Sequence, residues 1–308
     1  MPELPEVETI ARGLSQRVTG DVIESVWLGQ KKEPLKSPAD VMAAALEQTR
    51  ISAVRRMGKH IVFDLDRLES AARMASSANC KRQKHATRKR SRANSTSLEL
   101  QASHGVPGTR AQWIVHLGMT GRLQVCDPRA ELEKHTHAVV KLRSGREVRF
   151  VDPRRFGRLS VATSAEFDAT GIEPLEVDVE TFIRLFRGRK TPIKSALLNQ
   201  RLLRGVGNIY ADESLFRAGI RPRRRASSIT RDQLAKLRQA VKQVLQEAIA
   251  LGGSSISDYV DADGAEGFFQ LQHRVYGREG EPCLICKTGI KRTVIAGRSS
   301  HYCPKCQK

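Results

Sequence analysis

The feature that most constrains the fold is a pair of cysteine knuckles near the carboxyl end of the chain. Cys283, Cys286, Cys303 and Cys306 follow the spacing C-x2-C-x16-C-x2-C. Two such knuckles hold four thiolates around one Zn²⁺, and the segment between them suffices for a β-hairpin. Two disulfides are the alternative. Because the protein fills every ligand position, the spacing predicts one structural zinc ion that stabilises a segment too small for its own core.

The net positive charge of the chain indicates which class of partner it binds. The 308 residues include 53 Lys and Arg against 33 Asp and Glu, a formal net charge of +20. Such an excess indicates a polyanion: DNA, RNA or an anionic membrane surface. No apolar run approaches the roughly 20 residues that span a bilayer. The opening MPELPEVETI carries acids where a secretion signal carries positive charge. We therefore expect a cytoplasmic protein. The two remaining cysteines, Cys80 and Cys126, have no second cysteine at knuckle spacing, so we do not expect them to bind metal.

Hydrophobic periodicity predicts an α+β fold. Apolar residues at i, i+3 and i+4 spacing favour a helix over Pro5–Val18. Short alternating runs such as Ile61–Leu65, Trp113–Leu117 and Glu147–Val151 are typical of antiparallel strands. We interpret residues 1–170 as an N-terminal β-sandwich with flanking helices.

Helices follow a linker at residues 171–176. Thr191 is predicted to cap one helix, with Pro192 at its first position, and a second helix follows the turn Gly205–Gly207. Thr230 and Gln233 form a capping-box pattern that starts a third. We assign residues 177–254 to a helical region, 255–274 to a loop region and 275–308 to the zinc-finger hairpin.

A basic segment, Leu68–Arg110, interrupts the β pattern. It has no aromatic residue and carries nine Lys or Arg against two acids. This composition cannot bury enough apolar surface to order the chain. We expect a disordered insertion in a hairpin, either a solvated loop or an arm that tethers DNA non-specifically.

Two further patterns suit nucleic-acid chemistry without establishing it. The glycine turn before Asn208, with Lys190 and Lys194 nearby, exposes backbone amides at a helix start that attract phosphate, although a plain corner between helices fits equally. Removal of Met1 exposes the secondary amine of Pro2, which forms an iminium with a carbonyl carbon. On residue chemistry alone, Pro2 is more often just a second residue.

Six motifs, in order along the chain, carry a resemblance to bacterial formamidopyrimidine-DNA glycosylases. They are PELPEVET (2–9), HLGMTG (116–121), DPRRFG (152–157), GVGNIYADESLF (205–216), VYGREGEPC (275–283) and CPKCQK (303–308). The resemblance runs from end to end apart from the basic segment. The related endonuclease VIII type shares the fold but usually reads PEGPE at its start.

The resemblance implies a bifunctional DNA glycosylase/AP lyase of base excision repair, in which residues 177–254 form a helix–two-turn–helix DNA-binding region. In it, Pro2 attacks the sugar C1′ and Glu3 protonates the sugar ring oxygen. Lys59 assists at the phosphate and in β-elimination, and Arg298 lies at the phosphate for δ-elimination. Zinc is the one cofactor implied, and the substrates are 8-oxoguanine and formamidopyrimidines in duplex DNA.

The resemblance also implies the DNA contacts. Met119, Arg154 and Phe156 fill the space left by the flipped base, although core packing is an alternative for Met119 and Phe156. A loop at 261–270 grips the base. The side chains expected along the DNA backbone are His116, His135, Lys190, Lys194 and Asn208.

Two other functions stay open at this point. One is an endonuclease VIII-like enzyme for oxidised pyrimidines, and the other is a non-catalytic DNA-binding module. The joint presence of Pro2, Glu3 and Lys59 argues against the second. We expect a monomer in the bacterial cytoplasm, associated with the nucleoid through DNA.

Overall fold

The computed structural model describes residues 1–31, 33–68, 111–163, 167–255, 262, 264 and 266–308. The predictions for the basic segment beyond Leu68, for Cys80 and for residues 261, 263 and 265 of the 261–270 loop therefore lie outside the described residues. Among the described helices, none has the length and apolar character needed to cross a membrane.

The amino terminus leads directly into helix α1 (Leu4–Val18), as the periodicity predicts. Pro5 lies in its first turn, and Glu3 is its N-cap residue. The predicted apolar stripe is buried, because α1 packs against the sheet and contributes Val7, Ile10 and Leu14 to the main core.

Eight strands form one continuous antiparallel sheet in the order β5-β7-β6-β1-β2-β3-β4-β8. Helix α2 (Ala39–Leu46) lies between the first two strands in the chain. The strands are β1 (Val22–Leu28), β2 (Thr49–Met57), β3 (His60–Arg67), β4 (Ala111–His116), β5 (Arg122–Cys126), β6 (Thr136–Leu142), β7 (Glu147–Val151) and β8 (Arg158–Ala162).

The sheet divides into two halves at the junction of β1 and β2. These strands pair only at Val22↔Arg50 and Ile23↔Thr49. Both halves contribute to one core, which contains Phe63 and Trp113 from one half and Phe150 from the other. This arrangement confirms the predicted β-sandwich in an α+β fold.

Strands β3 and β4 flank the basic segment. Their pairing runs from His60↔His116 to Leu65↔Ala111. The chain therefore leaves and re-enters the sheet at neighbouring points, as expected for an insertion within a hairpin.

A helical region follows the sheet. It comprises α3 (Val179–Phe186), α4 (Ile193–Leu197), α5 (Asn208–Arg217) and α6 (Arg231–Ala250). The capping box at Thr230 and Gln233 is present, and Gly252 ends α6 with a φ of +74°. These helices bury a second core around Phe182, Tyr210 and Leu237.

The predicted cap of α4 is wrong by one residue. Pro192 is the N-cap residue and makes no side-chain cap bond. The first amides of α4 are satisfied from elsewhere, because Ile193 N donates to Arg224 O at 2.7 Å and Lys194 N to Pro222 O at 3.3 Å. A hydroxyl cap from Thr191 is therefore not needed.

The carboxyl end is a hairpin of β9 (Lys291–Ile295) and β10 (Arg298–Tyr302) between the cysteine knuckles. Its small core holds Phe216 of α5 together with Val275, Ile290 and two of the cysteines. This apolar patch is far smaller than the other two cores, as expected for a segment that depends on a metal.

Candidate active site

A cavity of about 450 Å³ lies where the sheet, the helical region and the hairpin meet. It brings together three of the four predicted catalytic residues, Glu3, Lys59 and Arg298. Met1 also lines it, so the nitrogen of Pro2, to which Met1 is joined, lies at its edge. Other residues on its wall are Met119, Ser195, Leu198, Asn199, Gln200, Val206, Gly207, Asn208, Ile209, Tyr276 and Ala296.

Glu3 is held at the start of two helices. Its backbone N donates to Glu6 Oε2 at 2.8 Å, and its Oε1 accepts from Ile209 N of α5 at 3.2 Å. Its Oε2 is buried without a hydrogen-bond partner among the described residues. Burial raises the pKa of Glu3 to about 7, although nearby Lys59 works in the opposite direction. A carboxyl with this pKa is largely protonated below neutral pH.

The glycine turn before α5 leaves room for the start of α1, which side chains at these positions would fill. A Cβ on Gly207 would lie 2.1 Å from the Glu3 carboxyl carbon, and one on Gly205 would lie 2.8 Å from Leu4 Cδ1. Leu4 N donates to Gly205 O at 3.0 Å. The amides of Gly205 and Ile209 are therefore used inside the protein, and the prediction that the turn attracts phosphate through its other amides stays a prediction.

Lys59 lies in the β2–β3 turn and is 9 % exposed. Burial lowers the pKa of its ammonium, the carboxyls of Glu3 and Glu6 raise it, and Arg298 lowers it. A lysine with a lowered pKa is a better base and nucleophile near neutral pH than an exposed one. Arg298, the first residue of β10, is exposed at the rim.

Met119 and Phe156 are exposed, at 41 % and 52 %. Core packing is therefore excluded for both, although most large apolar side chains are buried. The Arg154 guanidinium lies over the Phe156 ring at 4.9 Å from its centroid.

Asp152 joins the two loops that carry these side chains. Thr120 Oγ1 donates to Asp152 Oδ1 at 2.6 Å, and Gly157 N donates to Asp152 Oδ2 at 2.7 Å. Gly118 also admits no Cβ, since one would lie 2.4 Å from the Phe156 carbonyl carbon. Hence the loops form one rigid unit, which we call the Asp152 clamp (residues 118–121 and 152–157).

The predicted histidines differ in environment. His116 Nδ1 accepts from Gly118 N at 3.0 Å, and burial lowers the pKa of His116 to about 4. It is therefore neutral at pH 7 and keeps its proton on Nε2. His135 is exposed.

The two predicted lysines are not equivalent. Lys190 is exposed, as a phosphate contact must be. Lys194 is 0 % exposed, forms an ion pair with Asp212 at 2.7 Å and donates to Ser299 O at 2.6 Å. The prediction that Lys194 contacts DNA is thus wrong for this structure, because its ammonium holds β10 against α5.

Substitution of these lysines is expected to separate the two roles. Lys194→Met leaves Asp212 as an uncompensated buried charge and should destabilise the fold by about 3 kcal/mol. Lys190→Met should leave stability unchanged but reduce the slope of log K for DNA binding against log salt concentration by about 1. Thermal unfolding and binding titrations across ionic strength measure both effects. A lowered salt slope for a folded Lys194→Met protein would contradict the assignment.

Asn208 lies at the first turn of α5, with its Nδ2 donating to Ser299 Oγ at 3.3 Å. Its Oδ1 is buried without a partner in the described part of the chain. The side chain thus links α5 to β10 at the cavity wall.

Two adjacent acids of α5 were missed by sequence reasoning. Asp212 accepts from Ser300 Oγ at 2.9 Å and His301 N at 2.8 Å. Glu213 accepts from three consecutive amides, those of residues 274–276, at 2.9–3.0 Å. The sequence feature that could have revealed them is an adjacent Asp-Glu pair within an otherwise mostly apolar helix, followed along the chain by the basic zinc hairpin.

The four cysteine sulfurs of the hairpin lie within 4.8 Å of one another. The Cys286–Cys303 and Cys283–Cys306 sulfurs are 3.4 and 3.9 Å apart, too far for the disulfide bond length of about 2.05 Å. Four converging sulfurs fit a tetrahedral Zn²⁺ with no ligand position left for water. The site holds one structural zinc ion, as predicted.

Comparison with known proteins gives the class of a protein in which a β-sandwich, a helical region and a zinc hairpin share one cavity: it is a DNA glycosylase of base excision repair. Three family models match the chain. They are the formamidopyrimidine-DNA glycosylase N-terminal domain at residues 1–159, the H2TH domain of the same enzymes at 170–260, and the zinc finger found in FPG and IleRS at 280–308.

Full-length relatives agree. Formamidopyrimidine-DNA glycosylases of Solibacter usitatus and Ruegeria sp. are 42 % and 39 % identical, each over 100 % of both chains. The MutM (FPG) crystal structure from Thermus thermophilus is 36 % identical, with a TM-score of 0.76 over 99 % of this chain and 98 % of that one. The chain belongs to the formamidopyrimidine-DNA glycosylase family, which confirms the predicted enzyme class of glycosylase and AP lyase.

Two structures with DNA are also similar. MutM in complex with carbocyclic 8-oxo-G-containing DNA is 29 % identical, with a TM-score of 0.80 over 100 % of both chains. Lactococcus lactis Fpg in complex with abasic-site DNA is 28 % identical, with a TM-score of 0.79 over 99 % of both.

Proposed function

We propose that this protein excises 8-oxoguanine and formamidopyrimidines from duplex DNA through Pro2 and then cleaves the strand by β,δ-elimination. The observation that carries the proposal is the cavity in which Glu3, Lys59 and Arg298 surround the start of the chain. The DNA in the MutM and Lactococcus lactis complexes supports damaged duplex DNA as the partner. One such cavity suffices for one asymmetric lesion, so the protein acts as a monomer. Because its substrate is damaged DNA and its relatives are bacterial, it acts at the nucleoid in the cytoplasm.

Binding begins with extrusion of the damaged base. Met119, Arg154 and Phe156 enter the space that the base leaves, and the exposed Arg154 guanidinium offers hydrogen bonds to the orphaned partner. Along the backbone, His116 donates through Nε2 while His135, Lys190 and Asn208 make further contacts with phosphates. These contacts position DNA without reading its sequence.

Excision uses the neutral amine of Pro2. Its lone pair forms a bond to C1′ while the glycosidic electrons leave with the base, which takes the amine proton. The C1′–O4′ bond then breaks, O4′ receives a proton from Glu3, and a cationic iminium remains. The unpartnered Glu3 Oε2 is the oxygen suited to carry that proton, since Oε1 accepts from Ile209 N.

Strand cleavage follows because the iminium accepts electrons. Loss of a C2′ proton breaks the C3′–O3′ bond, and loss of a C4′ proton breaks the C5′–O5′ bond. Lys59, with its lowered pKa, assists the first elimination and contacts phosphate. The Arg298 guanidinium stabilises the departing phosphate in the second.

The pH profile of excision is expected to report Glu3. Because the reaction needs both the acid form of Glu3, whose pKa is about 7, and the neutral Pro2 amine, the rate should be highest between the two pKa values and should fall about tenfold per pH unit once pH rises above about 8. On the acidic side the rate should fall as the Pro2 amine, a group with an ordinary pKa of about 7.7–8.0, becomes protonated. Glu3→Gln should be slow and should lose the alkaline decline. Single-turnover rates from pH 5.5 to 9 test this, and an unchanged decline in Glu3→Gln would contradict the acid role.

Borohydride trapping on a panel of duplexes tests the function as a whole. We expect a covalent protein–DNA adduct and rapid excision with 8-oxoguanine opposite cytosine, and slower excision of thymine glycol. Preference for thymine glycol would instead support the endonuclease VIII-like function. Tight binding without an adduct on any duplex would indicate a non-catalytic module.

A further inference from the structure

Glu173, in the linker after the β-sandwich, is a buried acid outside the cavity that is bound by two arginines, one from the sheet and one from the helical region. Arg56 donates through Nη2 to Oε1 at 2.9 Å and through Nη1 to Oε2 at 3.0 Å. Arg204 Nε donates to Oε2 at 3.3 Å. One carboxylate therefore joins the sheet to the helical region.

Arg56 belongs to the sheet side of the cavity. It lies on β2, three residues before Lys59, and also donates to Gly58 O at 3.3 Å. A second acid, Glu8 of α1, accepts from its Nε at 2.7 Å. The guanidinium thus fixes the turn that presents Lys59 and ties it to the helix that follows Glu3.

Arg204 belongs to the helical side. It immediately precedes Gly205, the residue whose carbonyl accepts from Leu4 N. Its side chain also packs under the Lys59 turn, since a Cβ on Gly58 would lie 3.3 Å from Arg204 Cβ. Through Glu173, both turns that bound the cavity share one anchor.

Burial makes this anchor stiff. The side chains of Arg56 and Glu173 are 7 % and 10 % exposed. A bidentate pair out of water has a fixed geometry, and opening it leaves an uncompensated buried charge. A solvent-exposed ion pair imposes no such constraint.

We propose that Glu173 is a positioning residue that sets the distance between Lys59 and the Pro2–Glu3 terminus by holding Arg56 and Arg204 together. The proposal rests on the proposed function, because it assigns Glu173 a part in the same reaction. An ordinary ion pair that only stabilises the junction of the two regions is the rival explanation.

Single-turnover kinetics distinguish positioning from stability. Glu173→Gln removes the charge that both arginines share, and Glu176→Gln removes an exposed acid of the same linker as a matched control. Misplacement of catalytic groups by about 1 Å costs up to about 100-fold in rate. We expect the excision rate constant of Glu173→Gln to fall about 10- to 100-fold, with full reaction amplitude and little change in DNA affinity. Glu176→Gln should match the wild type.

The single-turnover amplitude identifies the rival explanation, in which the ion pair only stabilises the junction. A loss of stability lowers the fraction of active enzyme but leaves the rate constant of the folded enzyme unchanged. A Glu173→Gln protein with a wild-type rate constant overturns the proposal, whatever its amplitude. If that variant does not fold, Glu173→Asp decides the matter, since it keeps the charge but is too short to span both arginines. A folded Glu173→Asp protein should be at least about threefold slower, and a wild-type rate overturns the proposal. Absence of a borohydride adduct in the wild type would instead refute the proposed function.

Discussion

Replacement of Pro2 by glycine is expected to reduce base excision by about 10³-fold or more, the scale seen when an enzyme loses its nucleophile. Glycine supplies a primary amine on a flexible residue, so the nitrogen is no longer held by a pyrrolidine ring for its attack on C1′ and excision slows. Any imine that does form loses its N–H proton and with it the positive charge that drives elimination. The proline iminium has no such proton to lose. DNA affinity should stay within about twofold of wild type, because the Asp152 clamp and Lys190 are unchanged.

Two measurements check this result. Borohydride should trap the wild-type protein on 8-oxoguanine DNA and trap little or no Pro2→Gly protein, while binding titrations show that both proteins engage the duplex. A preparation that retains Met1 serves as the matched control, since the amine is then an amide. Normal lesion release by that capped preparation would refute the assignment of Pro2 as the nucleophile.

Substitution of Cys303 by serine is expected to have the second large effect. Structural zinc contributes on the order of 10 kcal/mol to folding of its segment. Loss of one of the four thiolates should release the metal, unfold the hairpin and remove Arg298 from the cavity. We expect DNA binding to weaken by at least about tenfold and strand cleavage at the second elimination to disappear.

Cys126→Ser is the control for this substitution, since Cys126 is a half-buried free thiol of β5 outside the cluster. Zinc stoichiometry by metal analysis should be one per chain for wild type and Cys126→Ser, and near zero for Cys303→Ser. A full complement of zinc in Cys303→Ser would contradict the four-thiolate site.

The elements that sequence reasoning predicted well are those specified by local patterns. The stripe of α1 and the capping box of α6 each involve residues within a few turns of one another, so spacing suffices to find them. The zinc ligands are also predictable, because knuckle spacing is dictated by the metal and not by the rest of the fold. Resemblance, and not spacing, led to Glu3 and Lys59.

The residues that were missed or misassigned depend on distant partners. Lys194 has the sequence features of a phosphate contact, and only the position of Asp212, 18 residues away, shows that its charge is consumed inside the protein. Glu173 has the sequence features of a polar linker residue, although Arg56 lies 117 residues earlier in the chain. Single-sequence patterns contain no information on such pairs, so a basic protein is easily read as having all its cations on the surface.

The Asp152 clamp also has a consequence for how lesions are found. Because Met119, Arg154 and Phe156 protrude from loops that are already rigid, inserting them into a duplex orders no protein segment and incurs little conformational entropy. Nearly all of the free-energy cost of insertion then comes from distorting the double helix, and this cost depends on how strongly each base pair is stacked. Under the proposed function, the enzyme therefore tests the stacking strength of each base pair first. A weakly stacked pair opens before the enzyme contacts the functional groups of the base.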